Sequence, residues 1–398
     1  QSSDPGLDGH GGTFEVVASQ LKGSIRPMAG YPYHLQRQNG ERFWWLGDTQ
    51  WSLYTDCQAT AHDRAAVEHY VDVRAAQGFN VVHSMLMQED GWINGGGPPF
   101  AGPRLEALAG EQINPCYWRE VDERLVYLNQ QGIVGGLVLA WGRKKWKQEV
   151  EPWAWDRFAG LEAKQRYARY IAARYSAYDV YFIVAGEWNA SARGPDNEAA
   201  RQEYVQIGKT LRAADPHKRM TGIHPGCHGN HFCREFNAAA DWCDFGDYQQ
   251  NYVHLNAEVV ASRVYDKPVI NSEYAYYLRD ADKDGVVDKP NSQSLEITRH
   301  ATWDLVMGGA YVVTGFGNTY MGGARCLGFF GVDAPQNDDW ETQIQHVPAF
   351  FQELAWWTLE PRNELLSGAV LQSEERTIYG RPATPERACW CLAEPGVQ

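Results

Sequence analysis

The run Val180-Tyr181-Phe182-Ile183-Val184-Ala185-Gly186-Glu187 sets seven uncharged, mostly apolar residues ahead of a carboxylate. A strand with one wet face alternates apolar and polar side chains, whereas a strand covered on both faces reads as a near-continuous apolar run. The same pattern returns at Phe43–Thr49, Phe79–Leu86, Ile133–Trp141, Met220–His224, Phe245–Gln249, Pro268–Glu273 and Ala310–Gly315. Amphipathic stretches with helical spacing lie between them: His62–Gln77, Glu162–Tyr175, Glu198–Ala214, Ala257–Tyr265, Leu295–Met307 and Thr342–Trp357. One more helix opens at Asn114-Pro115, with Asn as N-cap and Pro at the first turn, and stops at Gly132. Eight such strands, seven of them followed by a helix, predict a parallel sheet covered by helices, and the fold class expected is a (β/α)8 barrel. A doubly wound sheet favours a Gly-rich phosphate turn after its first strand. Here that place reads Gly47-Asp48-Thr49-Gln50-Trp51, with no such turn, so no nucleotide site is expected.

The division expected is a catalytic barrel with an N-terminal extension over residues 1–360. Short β segments follow over 361–398, the opening of a small C-terminal β domain. Composition narrows the partners. Lys and Arg total 36 against 50 Asp and Glu, a net charge of −14, and that surplus disfavours nucleic acid and anionic membrane. The longest charge-free apolar stretch, near Gly132–Gly142, falls well short of the ~20 residues that span a bilayer. Eight scattered cysteines form neither a disulfide scaffold nor paired CxxC zinc motifs. Aromatic residues make up 13% of the chain; they build cores, and they also line sugar clefts, where C–H faces pack on rings.

Barrel enzymes place their chemistry at the C-terminal ends of strands. Polar residues at those positions are Asp48 and Gln50, then His83, Gln88 and Glu89, then Trp141, Glu187, Trp188 and Asn189, then His224, Tyr248, Gln249, Glu273 and Tyr276. Glu187 and Glu273 each end an otherwise apolar strand. Two carboxylates across a cleft are what glycoside hydrolysis requires, one to protonate the leaving oxygen and one to attack the anomeric carbon or activate water. The alternative is that both are salt-bridged to barrel arginines. Asp48 either binds sugar hydroxyls or caps a turn. His224 either orients Glu273 or a hydroxyl, or is a hydrogen-bonded structural group. Trp141, Trp188 and Tyr276 are stacking platforms or core. Gln50, Asn189 and Gln249 complete the expected substrate-binding set.

The stretches Trp45-Leu46-Gly47-Asp48-Thr49-Gln50-Trp51, Gly78-Phe79-Asn80-Val81-Val82, Asn114-Pro115-Cys116-Tyr117-Trp118, Gly132-Ile133-Val134-Gly135-Gly136 and Thr221-Gly222-Ile223-His224-Pro225 resemble the apiosidase-like barrel family, from about residue 40 to 360. The resemblance implies a retaining glycosidase of the large barrel clan. It puts the acid/base on Glu187, where family members often carry Asp, and the nucleophile on Glu273. It also implies a carbohydrate substrate, apiose or another furanose among the candidates. The pattern after the nucleophile is altered to Tyr274-Ala275-Tyr276-Tyr277. A different class is a catalytically inactive carbohydrate-binding barrel, against which the retention of both glutamates counts.

No cofactor is expected for catalysis. Asp280-Ala281-Asp282-Lys283-Asp284-Gly285-Val286-Val287-Asp288 has the layout of a calcium loop, with Asp280, Asp282, Asp284 and Asp288 as carboxylate ligands and Val286 offering its carbonyl. Asn291 replaces the usual twelfth-position Glu, and a solvated acidic turn is the alternative. A structural Ca²⁺ fits a secreted or periplasmic setting.

Overall fold

The computed structural model of the chain describes residues 11–13, 15, 17, 22–56, 63–87, 93–100, 113–142, 145–146, 149–150, 155, 158–189, 195–226, 236, 241–249, 256–274, 295–315, 335–367, 377–378, 381–382 and 389–396. Eight parallel strands carry the fold: β1 (Leu46–Thr49), β2 (Val81–Met85), β3 (Val134–Val138), β4 (Val180–Ile183), β5 (Thr221–Gly222), β6 (Gly246–Gln249), β7 (Val269–Glu273) and β8 (Ala310–Thr314). Their order is β5-β4-β3-β2-β1-β8-β7-β6. At the seam between β5 and β6 the closure is made by Asp244 rather than by a ladder. Its N–H donates to the Thr221 carbonyl at 2.7 Å, and its Oδ2 accepts from the Thr221 N–H at 2.8 Å. The sheet thus curls into the expected (β/α)8 barrel.

The helices around it are α1 (Arg64–Ala76), α2 (Pro115–Gln130), α3 (Gly160–Arg174), α4 (Pro195–Ala214), α5 (Asn256–Ser262), α6 (Leu295–Met307) and α7 (Pro335–Gln352). Their starts follow local chemistry. Asn114 accepts from the Cys116 N–H at 3.1 Å with Pro115 in the first turn of α2, and Asp63 accepts from the Ala66 N–H at 3.1 Å ahead of α1. In α1 the buried residues Val67, Tyr70, Val71 and Arg74 recur at three- and four-residue spacing and face the sheet.

The strands are shorter than hydropathy suggests. Val184 and Ala185 are fully buried yet lie beyond β4, because an apolar run records burial and not ladder pairing. The ladder resumes as one isolated parallel bridge, Trp141 to Gly186. An antiparallel sheet of Ile25–Met28, Tyr31–Arg37 and Arg42–Phe43 forms within the expected N-terminal extension. It lies at the N-terminal end of the barrel, where Arg37 pairs with Asp179 just ahead of β4 at 2.5 Å and Tyr33 donates to Asp266 just ahead of β7 at 3.0 Å. Near the other terminus, Leu392–Ala393 pairs antiparallel with Glu360–Pro361. Inside the barrel, Trp45, Tyr181 and Phe245 fill the lower layer, with Trp45 and Tyr181 centroids 4.7 Å apart. The polar side chains of His83, His224, Asp247, Gln249 and Glu273 lie toward the C-terminal mouth, which sets the chemistry there.

Candidate active site

Glu187 leaves β4 on a turn whose backbone is unusual: its φ is +40°, a left-handed conformation that a non-glycine residue seldom adopts and that costs on the order of 1–3 kcal/mol. Close packing around the turn sustains it. A Cβ on Gly186 would overlap the Trp141 indole, and one on Gly142 would sit 2.7 Å from the Glu187 carbonyl. The carboxylate accepts from Gln249 Nε2 at 3.0 Å and faces Trp141 Nε1 at 3.4 Å. Trp141 stands edge-on to Trp51, centroids 5.2 Å apart, and the two indoles wall this side of the mouth.

Glu273 ends β7 with only 6% of its surface exposed. Its Oε2 lies 3.2 Å from His224 Nε2. The register between β6 and β7 shifts at Tyr248/Gln249, and the shift sets Gln249 directly opposite Glu273. Gln249 therefore touches the acid of β4 while standing beside the acid of β7. His224 also spans both sides. Its N–H donates to the Ala185 carbonyl at 3.0 Å and its carbonyl accepts from the Trp188 N–H at 3.1 Å, gripping the turn on both sides of Glu187.

Beneath Glu273 the network deepens. His224 Nδ1 lies 2.7 Å from Ser272 Oγ and 3.4 Å from Asp247 Oδ2, and Ser272 donates to Asp247 Oδ1 at 2.6 Å. Burial would pull the His224 imidazole down. Hydrogen bonds to Asp247 and Glu273, and the charges of both, override it and push it up to about 10. Burial raises Asp247, and His224 opposes that rise. Burial, then the charge of His224, holds nearby His83 well below the usual imidazole range.

Glu187, Glu273, Trp141, His224 and Gln249 thus converge at the mouth. Asp48 does not. Its strand position faces outward, its carboxylate pairs with Arg74 of α1 and accepts from the Tyr70 hydroxyl at 2.8 Å, and it is completely buried. The expectation that it meets sugar hydroxyls is corrected: it ties β1 to α1. Trp188 is likewise core, packed edge-on against Phe236 with centroids 4.9 Å apart and only 1% exposed, so it offers no stacking face. Asn189 accepts from the Gly226 N–H at 2.6 Å and binds the loop after β4 to the loop after β5. Gln50 is buried, its N–H donating to the His83 carbonyl at 3.0 Å. Gln88, Glu89, Tyr276 and the acidic run Asp280, Asp282, Asp284, Val286 and Asp288 lie outside the described residues. Among the described residues no group of three or more His, Cys, Asp and Glu is placed to hold a metal ion.

Sequence reading missed Asp247 and Ser272. The signal for Asp247 was present in Phe245-Gly246-Asp247-Tyr248-Gln249, where a carboxylate sits two positions before Gln249 and so on the same strand face. Ser272 gives no such signal, because a lone serine before a strand-end carboxylate is unremarkable.

The chain matches the model of the apiosidase-like catalytic domain over residues 32–358. No curated protein matches it. Among solved structures, it is similar to a glycoside hydrolase family 5 protein from Bacteroides vulgatus at 17% identity, covering 90% of this chain and 77% of that one with a TM-score of 0.69. A second, a glycoside hydrolase, superposes with a TM-score of 0.67 at 17% identity over 90% of this chain and 80% of that one. A family 5 mannosidase from Rhizomucor miehei gives 0.57 at 14% identity over 85% and 100%. At these identities the three structures speak for the barrel fold.

Proposed function

Because the chain belongs to the apiosidase-like family and is a glycosidase, we propose that it cleaves glycosidic bonds of a plant or microbial polysaccharide or glycoside by retaining double displacement. Glu187 is the acid/base and Glu273 the nucleophile. In the first step the Glu187 proton passes to the leaving oxygen as a Glu273 oxygen attacks the anomeric carbon, giving a glycosyl ester. In the second, Glu187 takes a proton from water, the water oxygen attacks the same carbon, and Glu273 leaves as carboxylate. The observation that carries this reading is Gln249, bonded to Glu187 and opposite Glu273. That brings both carboxylates to one mouth; the retaining course is supported by the family and requires carboxyl groups about 5–5.5 Å apart.

The family supports apiose or another furanose as the sugar, with the Trp51–Trp141 wall as its apolar contact. The experiment is hydrolysis of aryl apioside, arabinofuranoside, galactofuranoside, glucoside and rhamnoside by wild type, Glu187→Gln and Glu273→Gln, with the product anomer read by proton NMR. Cleavage of one glycoside with net retention, lost in both variants, supports the assignment. Inversion, or full activity in either variant, refutes it.

The calcium-type layout of residues 280–288 supports a structural Ca²⁺ in the same protein, and that fits a secreted or periplasmic setting. No helix among the described residues is long and apolar enough to cross a membrane. A bound ion at 100 times its Kd stabilises by about 2.7 kcal/mol, so chelation should lower the melting temperature and added Ca²⁺ restore it. Asp282→Ala with Asp284→Ala should abolish both effects. A melting temperature indifferent to chelator and Ca²⁺ would sink the assignment.

A further inference from the structure

We propose that Asp247 and Ser272 are positioning residues for the nucleophile. Acting through His224, which they hold doubly protonated, they fix which oxygen of Glu273 is left to attack. The inference rests on Glu273 as nucleophile and is carried by hydrogen-bond direction. A carboxylate only accepts. Ser272, 2.6 Å from Asp247 Oδ1, must therefore donate its hydroxyl proton to Asp247, which leaves the Ser272 oxygen free to accept. The group facing that oxygen at 2.7 Å is His224 Nδ1, so Nδ1 carries a proton. The other ring nitrogen, Nε2, faces Glu273 Oε2 at 3.2 Å, and an ionised Glu273 can only accept there too. Both ring nitrogens are donors, and the ring is an imidazolium.

Every group packed on that ring agrees. From β6 comes Asp247 and from β7 come Ser272 and Glu273. From β2 comes His83, with ring centroids 5.9 Å apart and held neutral by burial and by His224 itself. Trp51 and Trp141 close the remaining sides with centroids at 6.0 Å. His224 is wholly buried and so is Asp247. A lone carboxylate in such a place is costly, and the imidazolium compensates two of them at once. With Oε2 committed to His224, Oε1 is the Glu273 oxygen presented to the anomeric carbon. The His224 main chain grips the Glu187 turn, so one residue sets the geometry of both carboxylates.

The test is NMR of ¹⁵N-histidine-labelled full-length protein without substrate, so it is decided independently of turnover. His224 is assigned by its loss in His224→Gln. In wild type its two ring nitrogens should both show imidazolium shifts through pH 8. In Asp247→Asn the ring should be neutral at pH 8. In Ser272→Ala the imidazolium should survive, because Asp247 Oδ2 remains 3.4 Å from Nδ1, but with a changed Nδ1 shift. A neutral His224 in wild type at pH 7, or an unchanged titration in Asp247→Asn, overturns the proposal. On whichever nitrophenyl glycoside wild type cleaves, Asp247→Asn should lose about 100-fold in kcat with KM little changed, the scale expected for a misplaced nucleophile. An unaltered kcat there also overturns it. Failure to cleave any glycoside sinks the retaining reading instead, with the spectrum intact.

Discussion

Gln249 donates to Glu187 at 3.0 Å from the strand position that stands opposite Glu273. Its side chain is 2% exposed, so substrate reaches it only through the mouth it helps to form. The amide holds one acid at a fixed distance from the other. Truncation should release Glu187 to rotate without emptying the core. Gln249→Ala is expected to lower kcat by roughly 10–100-fold with a smaller change in KM, measured by steady-state kinetics on the glycoside that wild type cleaves. A kcat within twofold of wild type would show that Gln249 does not position the acid.

The turn carrying Glu187 makes a second demand. A Cβ at Gly186 would overlap the Trp141 indole, which itself faces the Glu187 carboxylate. Gly186→Ala therefore has to displace Trp141 or the turn. Overpacking of this kind costs about 1–3 kcal/mol, and here the displaced group is part of the site. The expectation is a loss of activity larger than the loss of stability implies, with altered tryptophan fluorescence in a folded protein. Normal activity with unchanged fluorescence would mean that the wall is not needed.

Much of this was legible beforehand, and the parts that were not share a cause. Eight apolar runs gave the barrel, because both faces of each strand are covered. The two strand-end glutamates followed, since a carboxylate at the exit of an apolar strand is a candidate for the mouth. What periodicity does not report is which way a strand-end side chain turns. Asp48 and Glu273 look alike in sequence, yet Asp48 faces α1 and Glu273 the mouth. The difference lies in Arg74, 26 residues away, whose guanidinium is buried beside Asp48. The shift at Tyr248/Gln249 was equally hidden, as register irregularities leave no hydropathic mark. Trp188 departs from expectation for the reverse reason: an indole beside a strand-end carboxylate reads as a platform, whereas its ring turns back into the outer core.

The Asp48–Arg74 pair allows that distinction to be measured. Both side chains are fully buried. Burial pushes the Asp48 carboxyl up, and Arg74 and Tyr70 pull against it. Removing one partner leaves the other as an uncompensated buried charge, a loss of about 3–5 kcal/mol. Asp48→Ala should therefore shift the urea midpoint strongly downward and leave KM of the remaining folded enzyme unchanged. A raised KM with an unmoved midpoint would return Asp48 to the substrate site.

Two buried histidines should shape the pH dependence of stability from opposite sides. His224 is raised from 6.5 to about 10 in the fold. The folded state thus holds a proton that the unfolded chain releases above about 6.5, and its contribution is fully present below that pH and lost as pH rises through about 10. His34 is the converse: burial, then the charge of Arg263, lowers it to about 4. Between 6.5 and 4 the unfolded chain takes up a proton that the fold refuses, so stability falls as the solution is acidified. Each group contributes at most about 1.4 kcal/mol per pH unit within its own window. Urea unfolding from pH 4.5 to 10 should show both flanks in wild type. His224→Gln should flatten the alkaline flank, and His34→Asn should lessen the acid one, to which buried His83 also contributes. If His224→Gln leaves the alkaline flank as steep as before, the imidazolium between Asp247 and Glu273 is not there to be lost.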